Sequence, residues 1–171
     1  MAQALSGPFL IAALTLCAAG IAKLRSPAAA AEALRAARLP SSAGLILVFA
    51  AGELALGAFA AVSADAGAAA ALAVVYAGFA VLVLILRRQE ASCGCFGTTG
   101  APASRSQAVI SAALALVSAA AAASGTHGAS WILGRSPMIA MTLVLGIGSA
   151  VFATVVAYSE LPAAWKAWTA R

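Results

Sequence analysis

Two cysteines separated by a single glycine are the residues of this chain best suited to chemistry. Cys93, Gly94 and Cys95 lie in a polar break between apolar segments and are followed by Phe96 and Gly97. Gly94 accepts backbone angles that a residue with a Cβ resists, so the two thiols can close a small, strained disulfide ring. Strained disulfides have more oxidising potentials than relaxed structural ones. The motif therefore predicts thiol exchange, and the alternative interpretation is two inert thiols in a turn.

Other residues could support or modify this chemistry. Arg87 and Arg88 precede the cysteines and favour a thiolate if they fold back towards the sulfurs. Two close thiolates also suit soft metal ions such as Cu(I) or mercuric ions. Cys17 lies in the first apolar segment, where a free cysteine is commonly a small packing residue and less often an electron relay. His127 is the single histidine, so we predict no metal site of the tetrahedral zinc kind.

The composition predicts an integral membrane protein. Hydrophobic residues make up 64% of the chain and charged residues 9%, whereas about a quarter of the residues of a soluble domain are charged. The 171 residues suit one transmembrane domain, 1–171, with about four to six spans of roughly 20 residues each. The net charge of +5 does not indicate nucleic acid binding, because the basic residues lie mainly at the ends of apolar segments.

The apolar runs predict an all-α antiparallel helical bundle with five spans, at residues 7–24, 42–62, 68–86, 106–124 and 137–158. Between the first two spans, residues 27–39 are flanked by Pro27 and Pro40 and predict a short amphipathic helix at the membrane interface. The loop that holds the two cysteines covers residues 87–105. We expect the fifth span to pack outside a core of four helices.

Glu53 lies near the middle of the second span, where a carboxylate is costly. We therefore expect it to face the bundle, either protonated or paired. Lys23, at the end of the first span, is the candidate partner because a lysine stem can reach several ångströms inward. This pair could serve only to hold helices together, or it could be part of a functional site.

The distribution of basic residues predicts which side of the membrane the cysteines face. Segments 23–40, 87–106 and 160–171 lie on one side of a five-span protein and hold nine of the ten basic residues, leaving Arg135 for the other side. The positive-inside rule then places the Cys-Gly-Cys loop in the cytoplasm. An oxidative role outside the cell would instead require the loop outside, or electrons carried across the membrane.

Taken together, these features resemble the MauE branch of the MauE/DoxX family of redox-associated membrane proteins. The resemblance covers about residues 7–124 and rests on Lys23, on Glu53 within Gly-Glu-Leu-x-x-Gly, and above all on the string Cys93-Gly94-Cys95-Phe96-Gly97. It implies a role in disulfide formation during maturation of the methylamine dehydrogenase small subunit. The expected partners are a thioredoxin-like protein or a disulfide-containing client protein, in addition to the lipid bilayer.

The arrangement also looks like the four-helix bundles of vitamin K epoxide reductase and DsbB, which pass electrons between thiols and a quinone. Those enzymes use a Cys-x-x-Cys pair and a second cysteine pair, whereas this chain has Cys93, Cys95 and the lone Cys17. A quinone cofactor is therefore an open hypothesis. Three functions remain: a thiol–disulfide exchange or electron-relay protein, a binder or transporter of soft metal ions, and a non-catalytic membrane scaffold for a partner enzyme.

Overall fold

A computed structural model describes residues 2–94, 96 and 103–169. Within these ranges the chain forms seven helices and no strand: α1 (Ala2–Arg25), α2 (Pro27–Ala36), α3 (Ala43–Ser63), α4 (Ala66–Arg88), α5 (Arg105–Ser124), α6 (Ala129–Leu133) and α7 (Pro137–Thr169). Five of them, α1, α3, α4, α5 and α7, are long and apolar enough to cross a bilayer. The predicted fold class, an all-α membrane protein with five spans, is confirmed.

The helices extend beyond the predicted spans at several ends. Helix α1 begins at Ala2, and α7 continues to Thr169. The predicted spans are shorter because an apolar run marks only the part of a helix that lies in the hydrocarbon, and the helix can continue beyond it. Side-chain caps fix the starts of three other helices. Ser42 accepts from the backbone N–H of Leu45, Asp65 caps α4, and Ser104 forms a capping box with the third residue of α5.

Helices α1 and α3 pack antiparallel at close range through two glycines. A Cβ at Gly20 would stand 2.8 Å from the Ala50 carbonyl oxygen, and one at Gly57 would stand 2.6 Å from the Ala13 carbonyl oxygen. Both distances are shorter than real Cβ contacts, so the backbones approach only because these positions lack side chains. Small residues at a helix interface commonly allow helices to associate in lipid. The lipid is as apolar as the side chains, so burying apolar surface does not favour association and close packing must do so.

The other spans complete the bundle around this pair. Helix α4 packs closely on α5, whereas α3 and α4 touch each other over a much smaller area although they follow one another in the chain. Helix α7 lies along α1 and α5 at the outside of the bundle, and only 6% of its most apolar stretch is buried. The arrangement leaves a gap between α3 and α4 on the outer face.

Helix α2 lies across the end of the bundle with its alanines inward. Ala29, Ala30 and Ala33 are buried, while Glu32 and Arg35 are exposed. The helix ends at Ala36, earlier than the predicted Leu39, because Arg38 adopts a left-handed conformation with φ 59°. Backbone hydrogen bonds from residues 37–39 back to the last turn complete this ending.

Candidate functional site

Cys93 is disulfide-bonded and buried, with only 6% of its surface exposed. It packs in a cluster with Ala33 of α2, Val83 and Leu86 of α4, and Ala108 of α5. Its sequence neighbour Cys95 lies outside the described residues. Cys93 therefore faces the protein interior and not the solvent.

Gly94 fixes the cysteine loop against α2. Its φ of +61° lies in the left-handed region, which glycine adopts without the cost of a Cβ. A Cβ at this position would also collide with the carbonyl oxygen of Ala29 and stand 3.1 Å from the backbone nitrogen of Ala30. Both the backbone angle and the contact with α2 therefore require glycine at position 94.

The opposite side of the loop is held by α5 and α7. The backbone N–H of Ala103 donates to the Ala91 carbonyl at 2.8 Å, which closes the base of the loop. The Phe96 ring lies edge-on to the ring of Tyr158 in α7, with centroids 5.3 Å apart. The Tyr158 hydroxyl shares a 2.7 Å hydrogen bond with Ser111. Helix α7 therefore anchors the loop as well as spanning the bilayer.

Lys23 and Glu53 form a buried ion pair between α1 and α3, as their positions in the sequence predicted. The Lys23 ammonium donates to both carboxylate oxygens, at 2.9 Å and 2.7 Å. Lys23 is 6% exposed and Glu53 is 3% exposed. Two opposite charges buried together inside the bundle stabilise each other, whereas either charge buried alone would be costly.

Aromatic rings enclose the lysine end of this pair. The ammonium of Lys23 lies 5.0 Å from the centroid of the Phe79 ring, which is cation–π geometry. Phe79 packs edge-on against both Tyr76 and Phe49. Tyr76 is held in turn by a 2.6 Å hydrogen bond from its hydroxyl to the Ala12 carbonyl of α1. The rings thus connect α1, α3 and α4 around the ammonium.

A cavity of about 520 Å³ connects the ion pair with the cysteine loop. Lys23 lies on one wall, Cys93 and Gly94 lie on another, and the remaining walls are apolar residues of α2, α3 and α4. Six of the lining residues are exposed: Leu39 and Pro40 in the connection before α3, Leu45 and Phe49 in α3, and Val74 and Gly78 in α4. The cavity therefore opens sideways between α3 and α4, towards the lipid.

Cys17 belongs to the α1–α3 contact. Its thiol donates to the Leu54 carbonyl at 3.7 Å, and a Cβ at Gly57 would stand 2.7 Å from its sulfur. It is a free cysteine. This position favours the packing interpretation of Cys17, while an electron-relay role stays a prediction.

The remaining candidates lie apart from the buried site. Arg87 and Arg88 occupy the last turn of α4 and are exposed, so the cysteine loop begins after them. His127 is exposed at the opposite end of the bundle and stacks on Trp131. Among the described residues, no group of three or more His, Cys, Asp or Glu side chains could hold a metal ion.

Sequence reasoning missed Ala29, Tyr158 and Phe79. Ala29 is one of many alanines, and nothing in its surroundings marks it as the residue beneath Gly94. Tyr158 gave a weak signal, since a tyrosine near the end of an apolar span is typical of the membrane interface. Phe79 is one apolar residue within a long apolar helix, so its contact with Lys23 follows only from the fold.

The model of the family described as methylamine utilisation protein MauE matches residues 1–125 of the chain. The matched stretch holds α1 to α5 together with both cysteines of the loop, and α6 and α7 follow it. No curated protein and no solved structure matches the chain. The resemblance of the bundle to vitamin K epoxide reductase and DsbB stays a prediction.

Proposed function

The chain belongs to the MauE family, which implies a role in methylamine utilisation, and on that premise we propose that it is a membrane thiol–disulfide exchange protein acting through Cys93 and Cys95. Its client is a protein that needs disulfides for maturation, reached directly or through a thioredoxin-like carrier. The observation that carries the proposal is the disulfide at Cys93, held between α2 and the bundle beside a cavity.

The two cysteines take different parts in the exchange. Cys93 is buried, so an incoming thiolate in water attacks Cys95. The Cys93–Cys95 bond breaks, Cys93 leaves as the thiolate, and a mixed disulfide forms between Cys95 and the partner. A second partner thiol then attacks this mixed disulfide and releases Cys95. Two electrons pass from the partner to the pair, and the partner leaves with a new disulfide.

The surroundings of the pair fit exchange better than a purely structural bond. A disulfide between residues 93 and 95 closes a very short loop, so it constrains the unfolded chain little and contributes little to stability by that route. The fold nevertheless holds the loop firmly, with Gly94 against α2 and Phe96 against Tyr158. Such support positions reacting groups, which is what catalytic sites require of their scaffold.

We propose that the exchange occurs on the cytoplasmic side of the membrane. The ends of α1 and α4 and the start of α5 meet at the cysteine loop and carry Arg25, Arg87, Arg88 and Arg105, all exposed. By the positive-inside rule this end faces the cytoplasm. Labelling of Cys95 in intact cells tests the assignment, with a thiol reagent that does not cross membranes and a Cys17→Ser/Cys93→Ser variant in which Cys95 is the one cysteine left and is a free thiol. Labelling only after the cells are opened supports it, and labelling before that overturns it.

Trapping of a mixed disulfide tests the exchange itself. Membranes carrying either the Cys93→Ser or the Cys95→Ser variant are incubated with a thioredoxin that retains only its attacking cysteine. Oxidised glutathione is added as the acceptor of two electrons. We expect Cys93→Ser to accumulate an adduct, since Cys93 can no longer attack the mixed disulfide and release the thioredoxin, and Cys95→Ser to give little, because Cys93 is buried. The Cys93→Ser/Cys95→Ser variant serves as the blank.

Cys17→Ser is the matched control, because Cys17 is a free, partly buried thiol elsewhere in the same bundle. Combined with Cys93→Ser, it should leave the amount of adduct unchanged. The exchange proposal is wrong if Cys93→Ser yields no more adduct than Cys93→Ser/Cys95→Ser and if the Cys93→Ser/Cys95→Ser variant still supports growth on methylamine. The scaffold function would then replace it.

A further inference from the structure

The exchange described above leaves the cysteine pair reduced after each turnover, so a further oxidant must restore the disulfide. The cavity beside Cys93 is formed within the bundle and opens towards the lipid between α3 and α4. An oxidant that reaches Cys93 by this route arrives from the bilayer and must itself be apolar. The place of the cavity thus restricts the class of molecule that it could bind.

The polar groups of the cavity restrict the class further. Lys23 lines it, and its ammonium carries three N–H groups, two of which donate to Glu53. A third N–H is left for an acceptor on a bound molecule. Phe79 also lines the cavity beside the ammonium, so this wall is aromatic and suits a flat apolar ring. A suitable ligand therefore combines a flat apolar ring with a carbonyl oxygen.

We infer that the cavity binds a membrane quinone, which reoxidises the Cys93 and Cys95 dithiol; the inference rests on the proposed exchange function. The ring lies between Phe79 and the cysteine loop, one carbonyl accepts from Lys23, and the isoprenoid or alkyl tail leaves through the gap between α3 and α4. The dithiol gives up two electrons and two protons and becomes the disulfide, and the quinone takes them and becomes the quinol. The volume of about 520 Å³ lies in the ordinary range for small-molecule sites.

Binding is measured with decylubiquinone as the probe on the purified, detergent-solubilised protein. Gly78 lines the cavity, and a Cβ there meets no atom within 4 Å, so Gly78→Leu fills the cavity without a clash at its first carbon. Gly52 in α3 is equally open but lies outside the cavity lining, which makes Gly52→Leu the matched control. We expect Gly78→Leu to weaken binding roughly tenfold or more, and Gly52→Leu to leave it within about twofold of the unaltered protein.

A second ligand tests the role of the carbonyl. Decyl-dimethoxybenzene has a similar ring and tail but lacks the quinone carbonyls. We expect it to bind roughly tenfold more weakly, because the Lys23 N–H then has no carbonyl partner. Equal binding of both ligands would show that the cavity holds alkyl chains and would overturn the inference. Equal binding of decylubiquinone by Gly78→Leu and Gly52→Leu would overturn it as well.

Electron transfer is measured on the prereduced protein without oxygen, by following quinol formation. We expect one quinol for each disulfide formed, and none from the Cys93→Ser/Cys95→Ser variant although it still binds decylubiquinone. If the unaltered protein exchanges disulfides with thioredoxin but forms no quinol, the quinone inference fails and the exchange function stands. If it forms no thioredoxin adduct, the exchange function fails whatever the quinone result.

Discussion

Gly94 rests against the backbone carbonyl of Ala29, so the cysteine loop and α2 touch with no room for a side chain between them. Gly94 also has a left-handed backbone conformation, with φ +61°. The position of α2 and the position of the disulfide are therefore linked. A change that moves one of them must move the other.

Gly94→Ala should disturb this contact and speed reduction of the disulfide. The left-handed backbone alone costs roughly 1–2 kcal/mol for a residue with a Cβ, and the collision with Ala29 adds to it. Gly125→Ala is the control, because Gly125 also has a positive φ, +73°, but a Cβ there meets nothing within 4 Å. Thermal unfolding in detergent and the rate of reduction by dithiothreitol measure the two effects. If Gly94→Ala speeds reduction of the disulfide no more than Gly125→Ala does, a specific contact of the cysteine loop with α2 is contradicted.

Breaking the Lys23–Glu53 pair should be more harmful than removing it. Glu53→Leu leaves the ammonium buried without its partner, which costs about 3–5 kcal/mol, while Glu53→Gln retains a hydrogen-bond acceptor and should cost less. The double variant Lys23→Met/Glu53→Leu should recover most of the loss in the free energy of unfolding. Equal stability of the Gln and Leu variants would contradict the buried pair.

Close packing of α1 on α3 should make Gly57 intolerant of even one methyl group. Gly57→Ala forces a Cβ against the Ala13 carbonyl and the Cys17 sulfur, and we expect a loss of about 1–3 kcal/mol in stability. Gly52→Ala, on the exposed face of the same helix, should be neutral or stabilise by up to roughly 1 kcal/mol. The prediction would be wrong if the two alanine variants unfold at the same temperature.

The hydrogen bond between Tyr158 and Ser111 should contribute about 1 kcal/mol to stability. Tyr158→Phe removes the hydroxyl but keeps the ring beside Phe96, and Ser111→Ala removes the other partner. A double-mutant cycle should show that the second substitution adds little once the first is made. Fully additive losses would show that the two side chains do not interact.

Much of the fold could be predicted from the sequence because lipid imposes simple rules. Long apolar runs gave the five spans, and the cost of an isolated charge in lipid suggested the contact between Lys23 and Glu53. The burial of Cys93 could not be predicted, since it depends on where α2 lies after α1 ends. The cavity was equally inaccessible, because it results from the gap between α3 and α4 and no residue pattern marks it. The contact of Tyr158 with the loop depends on the path of α7 beyond the predicted span.

The redox state of Cys93 and Cys95 in native membranes tests the central claim most directly. Thiols are blocked with one alkylating reagent, disulfides are reduced, and the released thiols are marked with a second reagent before mass spectrometry, with Cys17 as the internal free thiol. We expect Cys93 and Cys95 to carry the second mark when no client is present, and to shift together to the first mark when a reduced client is supplied in excess. If both cysteines carry the first mark under all conditions, or remain oxidised in the presence of the client, the pair does not exchange disulfides and the account is contradicted.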